Sequence, residues 1–233
     1  MTYRQRHVYG AIAGLIGIAC APLTAHARDG WFAGGEFGGN FQDNETFSNG
    51  NGSFDAGYAD DVVWGINAGY SYPSGFRPEL SIEFRSNNVD NLSAQGNSTS
   101  NVSGHEDADT FMGNLWYDIK LPQRDLRKFH PHIGAGIGFA QVGVHGVSTS
   151  NLANFFAVDD DQTLFAYQFG LGVGYDLAPN WVLSADFHYL ATDSGDFHYS
   201  APAPQLSGTV NGGYSAESLI VGLRYEFGPR LFQ

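Results

Sequence analysis

Residues 164–177, LFAYQFGLGVGYDL, alternate between two kinds of side chain along their whole length. One set is large and apolar: Phe165, Tyr167, Phe169, Leu171, Val173, Tyr175 and Leu177. The other set is mostly small or polar: Leu164, Ala166, Gln168, Gly170, Gly172, Gly174 and Asp176. Because successive side chains of a β-strand point to opposite faces, this period of two predicts a strand. Its apolar face is suited to lipid and its other face to a narrow interior.

The same alternation occurs in seven more stretches: 31–41, 62–72, 75–85, 110–121, 129–141, 180–190 and 219–227. Short connections, Pro73-Ser74, 122–128 and Ala178-Pro179, alternate with long ones. The long connections, each of 20 residues or more, are 42–61, 86–109, 142–163 and 191–216. This pattern predicts an all-β protein: an eight-stranded antiparallel up-and-down transmembrane β-barrel with long extracellular loops and short periplasmic turns. Asn, Ser, Gly and Thr dominate the loops, which indicates that much of each is mobile.

Aromatic residues stand at the ends of the predicted strands, where a membrane protein meets the lipid interface. The predicted girdles contain Trp31, Tyr70, Tyr117, Tyr175, Trp181, Tyr189, Tyr225 and Phe227. A soluble β-sandwich or a periplasmic lipocalin-like cup also has alternating strands. Neither accounts for the regular long and short connections or for the aromatic strand ends.

The N-terminus has the pattern of an export signal. Arg4 and Arg6 precede an uncharged run, and Ala25-His26-Ala27 supplies small residues for cleavage. We therefore predict a signal peptide at 1–27 and an outer-membrane β-barrel domain at 28–233. Cys20, the only cysteine, lies in this leader, and whether it is lipidated stays open.

The charge balance excludes one class of partner. The 233 residues include 11 Lys and Arg against 24 Asp and Glu, a formal net charge of −13, which argues against nucleic-acid binding. Nine charged residues fall on the predicted inner faces: Glu36, Glu79, Glu83, Arg85, Asp118, Lys120, Asp186, Arg224 and Glu226. An eight-stranded barrel is just wide enough to be filled by side chains, so these charges predict a structural plug of paired groups. The alternative is a narrow pathway that favours cations.

Two glycine rows lie on inner faces of neighbouring strands. They are Gly134, Gly136 and Gly138 in one strand and Gly170, Gly172 and Gly174 in the next. The first row superficially resembles a phosphate-binding loop, but no helical pattern follows it. We expect both rows to make room for large interior side chains from other strands.

A family resemblance covers essentially the whole chain after the leader. WFAGG at 31–35, NLWYD at 114–118, HIGAGIG at 132–138, AYQFG at 166–170 and VGLRYEF at 221–227 carry it. With these segments the chain resembles the OmpA/opacity-type eight-stranded outer-membrane barrels, the porin-family surface proteins of Gram-negative bacteria. The resemblance implies an outer-membrane location and contact with lipid and lipopolysaccharide. It also implies insertion by the barrel-assembly machinery, which recognises a C-terminal aromatic residue, here Phe227 or Phe232.

Three groups of residues have side chains that could carry chemistry. His198 and Ser200 have the spacing found in lipid A deacylases, with Asp193 and Asp196 nearby, but they lie in a predicted loop. His130, His132 and His188 would bind a metal only if they met inside the barrel. The loop carboxylates lack the spacing of a calcium-binding EF-hand loop, although they could hold divalent cations loosely. We therefore predict no catalytic site, no metal site and no cofactor.

These observations predict a monomeric structural or surface-exposed outer-membrane protein, adhesive or antigenic through its acidic loops. A small cation-favouring porin is the alternative, and a lipid A-modifying hydrolase is a more distant one. The loop composition does not identify a ligand.

Overall fold

The computed structural model describes residues 30–49, 52–94, 97–99, 102–121, 128–149, 157–200 and 207–227. They form thirteen strands: β1 (Gly30–Gln42), β2 (Glu45–Asn49), β3 (Gly52–Tyr58), β4 (Asp61–Ser71), β5 (Phe76–Ala94), β6 (Asn97–Thr99), β7 (Val102–Asp118), β8 (Phe129–Thr149), β9 (Ala157–Ala178), β10 (Trp181–Thr192), β11 (Gly195–Ser200), β12 (Ser207–Gly212) and β13 (Ser215–Phe227). This described part contains no helix with the length and apolar character needed to cross a bilayer. The predicted signal peptide, 1–27, lies outside the described residues.

Eight strands pair in a closed antiparallel ring. The order is β1, β4, β5, β7, β8, β9, β10 and β13, and β13 pairs with β1 again. The closing seam runs from Trp31 opposite Phe227 to Gln42 opposite Ala216. The ring strands follow one another in sequence order, so the topology is up-and-down. The eight predicted membrane strands are therefore confirmed.

The two faces of the ring differ as the alternation requires. Outward-facing Ile137, Phe169 and Leu171 have more than half of their surface exposed, at 63%, 57% and 58%. Large apolar side chains displayed in rows around a whole barrel are the signature of a lipid-contacting surface. The side chains at alternate positions point inward, where they fill the barrel.

Tight turns connect the strands at one end of the barrel. Between β4 and β5, the Gly75 amide donates to the Tyr72 carbonyl at 3.0 Å, and Tyr72 in turn donates to Phe76 at 2.9 Å. Gly75 has a φ of +101°, in the region that favours glycine. A Cβ there would lie 2.8 Å from the Asp118 carbonyl oxygen. Both the backbone conformation and the lack of space therefore require glycine at this position.

At the other end the long connections continue the sheet. We call their described residues, within 42–61, 86–109, 142–163 and 191–216, the crown. A second ring of eight strands forms here, in the order β5, β3, β2, β12, β11, β9, β8 and β7. The barrel strands β5, β7, β8 and β9 extend into this ring. The short strands β2, β3, β11 and β12 replace β1, β4, β10 and β13. The described parts of the long connections are therefore largely β-strand, which the sequence did not predict.

Breaks between the two rings occur where residues suited to turns interrupt four strands. Asp43-Asn44 separates β1 from β2, and Asp193-Ser194 separates β10 from β11. Backbone hydrogen bonds nevertheless cross these breaks, from the Asp43 amide to Ser215 at 3.1 Å and from the Asp193 amide to Phe165 at 2.9 Å. The crown is thus joined to the barrel by backbone contacts as well as by four uninterrupted strands.

Candidate functional site: the barrel interior and the acidic crown

Arg77 is the centre of the polar network in the half of the barrel nearest the tight turns. Its guanidinium lies 3.1 Å from a Glu79 carboxylate oxygen and 3.6 Å from an Asp118 oxygen. It also stacks over the rings of Phe32 and Trp116, at 5.6 and 5.5 Å from their centroids. A guanidinium held by carboxylates and aromatic faces occupies the lumen with its charge compensated.

Neighbouring groups extend this network around the wall. Trp116 Nε1 donates to Glu79 at 2.9 Å, Asn67 donates to Glu36 at 3.1 Å, and Arg85 contacts Glu83. The structure places eight of the nine predicted interior charges on inward-facing positions: Glu36, Glu79, Glu83, Arg85, Asp118, Asp186, Arg224 and Glu226.

Lys120 is the exception and lies outside the interior network. β7 ends at Asp118, so the chain has left the barrel wall before this residue. The exposed Lys120 ammonium group donates to the Pro73 carbonyl at 2.7 Å, at the mouth beside the β4–β5 turn. The prediction that Lys120 lies in the lumen is therefore wrong, because the alternation of faces ends with β7 at Asp118.

Trp116 fills much of the space that the glycine rows leave open. A Cβ on Gly134 or Gly170 would collide with its indole ring, and one on Gly172 would collide with Asp186. Asn114 and Met112 occupy the space over Gly136 and Gly138 in the same way. The prediction that the interior glycines make room for large side chains from other strands is confirmed.

A second layer, which lies mostly inside the crown, closes the interior with apolar side chains. Its buried members are Phe47, Ala56, Val89, Leu92, Ala108, Met112, Ala140, Val142, Val144, Val147, Leu164, Ala166, Leu190, Phe197, Val210, Tyr214 and Ala216. Phe47 stacks on Phe54 at 5.2 Å and meets Phe197 edge-on at 6.1 Å between centroids. Below this layer, cavities of about 30 and 40 Å³ lie within the network and at the barrel mouth. Each has room for one or two waters.

The predicted aromatic girdle residues are divided unequally between the two ends. Trp31 and Tyr70 are 5.3 Å apart between ring centroids, and Trp181 and Tyr225 are 5.0 Å apart, all at the end with the tight turns. Tyr117, Tyr175 and Phe227 join this end. Tyr189 lies toward the crown instead, because it is near the far end of β10.

The histidines considered for metal binding have separate partners. His130 lies 2.9 Å from Asp176, and His132 lies 2.7 Å from Asp186. His188 packs against Trp116 with ring centroids 5.4 Å apart. Within the ranges that the structure describes, no three His, Cys, Asp or Glu side chains are grouped to hold a metal ion.

His198 has an acidic partner, but not one that the sequence suggested. Its Nδ1 lies 2.8 Å from Asp160 of β9, whereas the sequence pointed to the nearby Asp193 and Asp196. Asp160 also accepts from the His198 backbone amide at 2.9 Å, and these bonds lower the pKa of the Asp160 carboxyl. The imidazole is exposed on the outside of β11. The pair therefore ties β11 to β9 outside the interior.

The crown carries many carboxylates and no Lys or Arg to balance their charge. Its four sequence ranges contain 5, 4, 3 and 2 Asp or Glu residues in turn, and no Lys or Arg. On its outer surface Asp107 lies near His105 and Asp161 near His145, each pair at 3.5 Å. Burial, with Asp107 and Asp161 nearby, raises the pKa of the neighbouring Asp109 carboxyl. This surface favours cationic ligands over anionic ones.

Two features of the interior were missed from the sequence. Arg77 shares the inward face of β5 with Glu79, so the period of two was sufficient to find it. The apolar layer was harder to recognise, because Phe47, Phe197 and Val210 are isolated apolar residues within polar segments.

Comparison with known proteins places these features in context. Residues 11–227 match the model of the outer membrane protein beta-barrel domain. An uncharacterized protein of Brucella abortus (strain 2308) is 24% identical, with 88% of each chain covered. The crystal structure of OprG from Pseudomonas aeruginosa superposes with a TM-score of 0.57 at 14% identity, covering 88% of this chain and 98% of OprG. The solid-state NMR structure of AlkL in lipid bilayers gives 0.53 at 18% identity, covering 93% and 98%.

Proposed function

The chain belongs to the outer membrane protein β-barrel family, and we propose that it is a sealed barrel that presents an acidic crown at the cell surface. In this proposal the protein acts through the crown, as an adhesive or antigenic surface, and solutes do not pass through it. The tight turns then face the periplasm and the crown faces outward, as in other outer-membrane barrels.

The filling of the interior at two successive levels carries this proposal. Arg77, Glu79 and Trp116 occupy the periplasmic half of the barrel, and side chains such as Phe47 and Phe197 fill the interior of the crown. An eight-stranded barrel leaves little space beyond its own side chains. The apolar layer also opposes ion passage, because an ion crossing it loses its hydration without gaining polar ligands.

Planar-bilayer recording tests the proposal directly. The refolded barrel, with folding verified by its heat-dependent gel mobility, is expected to give no conductance steps. Adding a conducting porin to the same membrane afterwards is the control that steps can be detected. Stable steps that favour cations and weaken in the Glu79→Gln variant would instead support the cation-favouring porin.

The composition of the crown indicates what its surface would contact. The four crown ranges contain 14 acidic residues, of which Glu106 is buried, and no Lys or Arg. The exposed carboxylates attract basic ligands or ligands bridged by cations, and salt weakens such attraction. Proteoliposomes carrying the barrel are expected to bind immobilised polylysine and to leave it as salt is raised. Equal binding to an anionic polymer would contradict the proposed role of the charge.

The acylation state of lipid A tests the hydrolase alternative. His198 and Asp160 are hydrogen-bonded outside the barrel. If the protein acts only as a surface barrel, its expression leaves lipid A acylation unchanged. Altered acylation that disappears in the His198→Ala variant would favour the hydrolase.

A further inference from the structure

Two carboxylates are enclosed at the base of the crown. Glu45 begins β2, and Glu106 lies on the inward face of β7 with no solvent exposure. Both lie beyond the outward apolar rows, which end at Phe41 on the first strand and at Phe111 on β7. They are therefore outside the part of the barrel that contacts lipid, although they are enclosed by protein.

Three oxygen atoms in this cluster have no hydrogen-bond donor. They are Glu45 Oε2, Glu106 Oε1 and the amide oxygen Oε1 of Gln42, and each is shielded from solvent. Gln42 is nine-tenths buried, and its Nε2 donates to Glu106 Oε2 at 3.0 Å. Because this contact fixes the amide beside the Glu106 carboxylate, the unpartnered Gln42 oxygen lies at the same cluster.

The groups around these oxygens supply no compensating cation. Tyr58 hydrogen-bonds Glu106, and the backbone amide of Gly213 donates to Glu45 Oε1. Among the described residues, no Lys, Arg or His forms an ion pair with either glutamate. Arg85 acts electrostatically on nearby Tyr214, but its guanidinium contacts Glu83 and Thr110. Asp107 adds a further negative charge near Glu106.

The electrostatics agree with this geometry. Burial, together with the charge of Glu106, raises the pKa of Glu45 to about 8. Burial also raises the pKa of Glu106 to about 7, despite the hydrogen bonds from Tyr58 and Gln42. At neutral pH both groups therefore remain partly protonated when nothing else balances their charge, and a bound cation would compete with those protons.

We propose that Glu45, Glu106 and the Gln42 amide oxygen form a site for one divalent hard cation, Ca²⁺ or Mg²⁺. Every offered ligand is an oxygen, which these ions prefer over the softer transition metals. Two carboxylates balance the double positive charge, and waters complete the coordination because the protein offers three oxygens. The Tyr58 hydroxyl stays a hydrogen-bond partner of Glu106.

The site would connect the barrel to the crown. Gln42 ends β1, Glu45 begins β2 across the Asp43-Asn44 break, and Glu106 belongs to an uninterrupted strand on another part of the wall. A cation bound to all three would hold the β2–β3 hairpin against β7. The occupied site would thus stabilise the crown more than the barrel.

Calorimetric titration of the refolded full barrel in detergent tests the proposal. After chelation, CaCl₂ and MgCl₂ are titrated separately near pH 8.5 and near pH 6. We expect one cation per barrel and an affinity that rises with pH, because binding displaces protons. The crown amides should also exchange more slowly with solvent when the cation is present.

Matched variants test whether Glu45 and Glu106 bind the cation. Glu45→Gln and Glu106→Gln keep the side-chain shape, and each should lower the affinity at least about tenfold by removing one charged ligand. Glu217→Gln, an exposed glutamate on β13, is the control and should bind as the unmodified barrel does.

The proposal is overturned if the folded barrel shows no saturable binding of either cation near pH 8.5. It is also overturned if Glu45→Gln and Glu106→Gln, both folded, bind as tightly as Glu217→Gln, because the cation would then be held elsewhere. Neither result affects the proposal that the barrel is sealed, which bilayer recording tests separately.

Discussion

Trp116 shows how single residues determine what the barrel can contain. Its indole ring spans the inner face opposite Gly134 and Gly170, and its Nε1 donates to Glu79 at 2.9 Å. The ring supplies volume while its polar edge satisfies a buried carboxylate. The glycines on β8 and β9 and the indole on β7 are therefore complementary, although they are far apart in sequence.

The Gly170→Ala substitution is expected to destabilise the barrel by about 1–3 kcal/mol through overpacking. The new Cβ would lie 2.5 Å from the Trp116 ring, and His188 at 3.0 Å blocks another direction of relief. Gly113→Ala is the control, because its Cβ would meet no described atom closer than 3.7 Å. Urea unfolding in detergent measures both. A Trp116→Leu background should relieve most of the cost, and an equal cost in that background would contradict the packing explanation.

At the scale of elements, the crown behaves as an extension of the sheet with a core of its own. The β2–β3 and β11–β12 hairpins face each other through Phe47 and Phe197, and a pairing at Ser48 and Asn211 joins them. Two-stranded hairpins alone are marginally stable in water, so this shared apolar layer is what holds them in strand form.

Phe197→Ala should loosen the crown and leave the barrel intact. Removing a fully buried phenylalanine costs about 3–5 kcal/mol, and the loss falls on β2, β3, β11 and β12. Hydrogen exchange of crown amides should accelerate strongly, whereas heat-dependent gel mobility stays unchanged. Thr209→Ala, at an exposed position of β12, serves as the control. Simultaneous loss of barrel strands in Phe197→Ala would show that the two regions unfold together.

The sequence predicted the membrane strands well and the crown poorly, for a physical reason. In β9 every outward position of residues 165–177 must be apolar because lipid contacts each one, so the period of two is uninterrupted. In β11 and β12 only the inward face needs apolar groups, and Phe197 and Val210 suffice for a narrow interior. Short strands with water outside and few apolar residues resemble loops in composition. Glu45 and Glu106 likewise carry no signal in sequence, because only the fold brings them together.

At the scale of the whole molecule, the two filled levels act in series. An ion would have to cross both the polar network around Arg77 and the apolar layer around Phe47. Opening either level alone leaves the other in place. The resistance of the pathway is then set by whichever level remains closed.

Bilayer recording on variants that open one level, or both levels, tests this arrangement. Arg77→Ala with Trp116→Ala opens the periplasmic level, and Phe47→Ala with Phe197→Ala opens the apolar level. Each pair alone is expected to stay silent, and the four substitutions together are expected to conduct. All three proteins need verified heat-dependent mobility. Conductance from the Arg77/Trp116 pair alone would mean that the apolar layer is no barrier.

The absence of Lys and Arg from the crown sequence also determines which surface-labelling methods would detect this protein on a living cell. Amine-reactive biotin reagents label lysine side chains, and trypsin cleaves after Lys or Arg. The exposed Lys120 and Lys128 lie at the opposite, periplasmic end. Surface biotinylation and tryptic shaving of intact bacteria would therefore overlook the protein, whereas reagents that couple to carboxylates, or proteases that cut at acidic residues, would detect it.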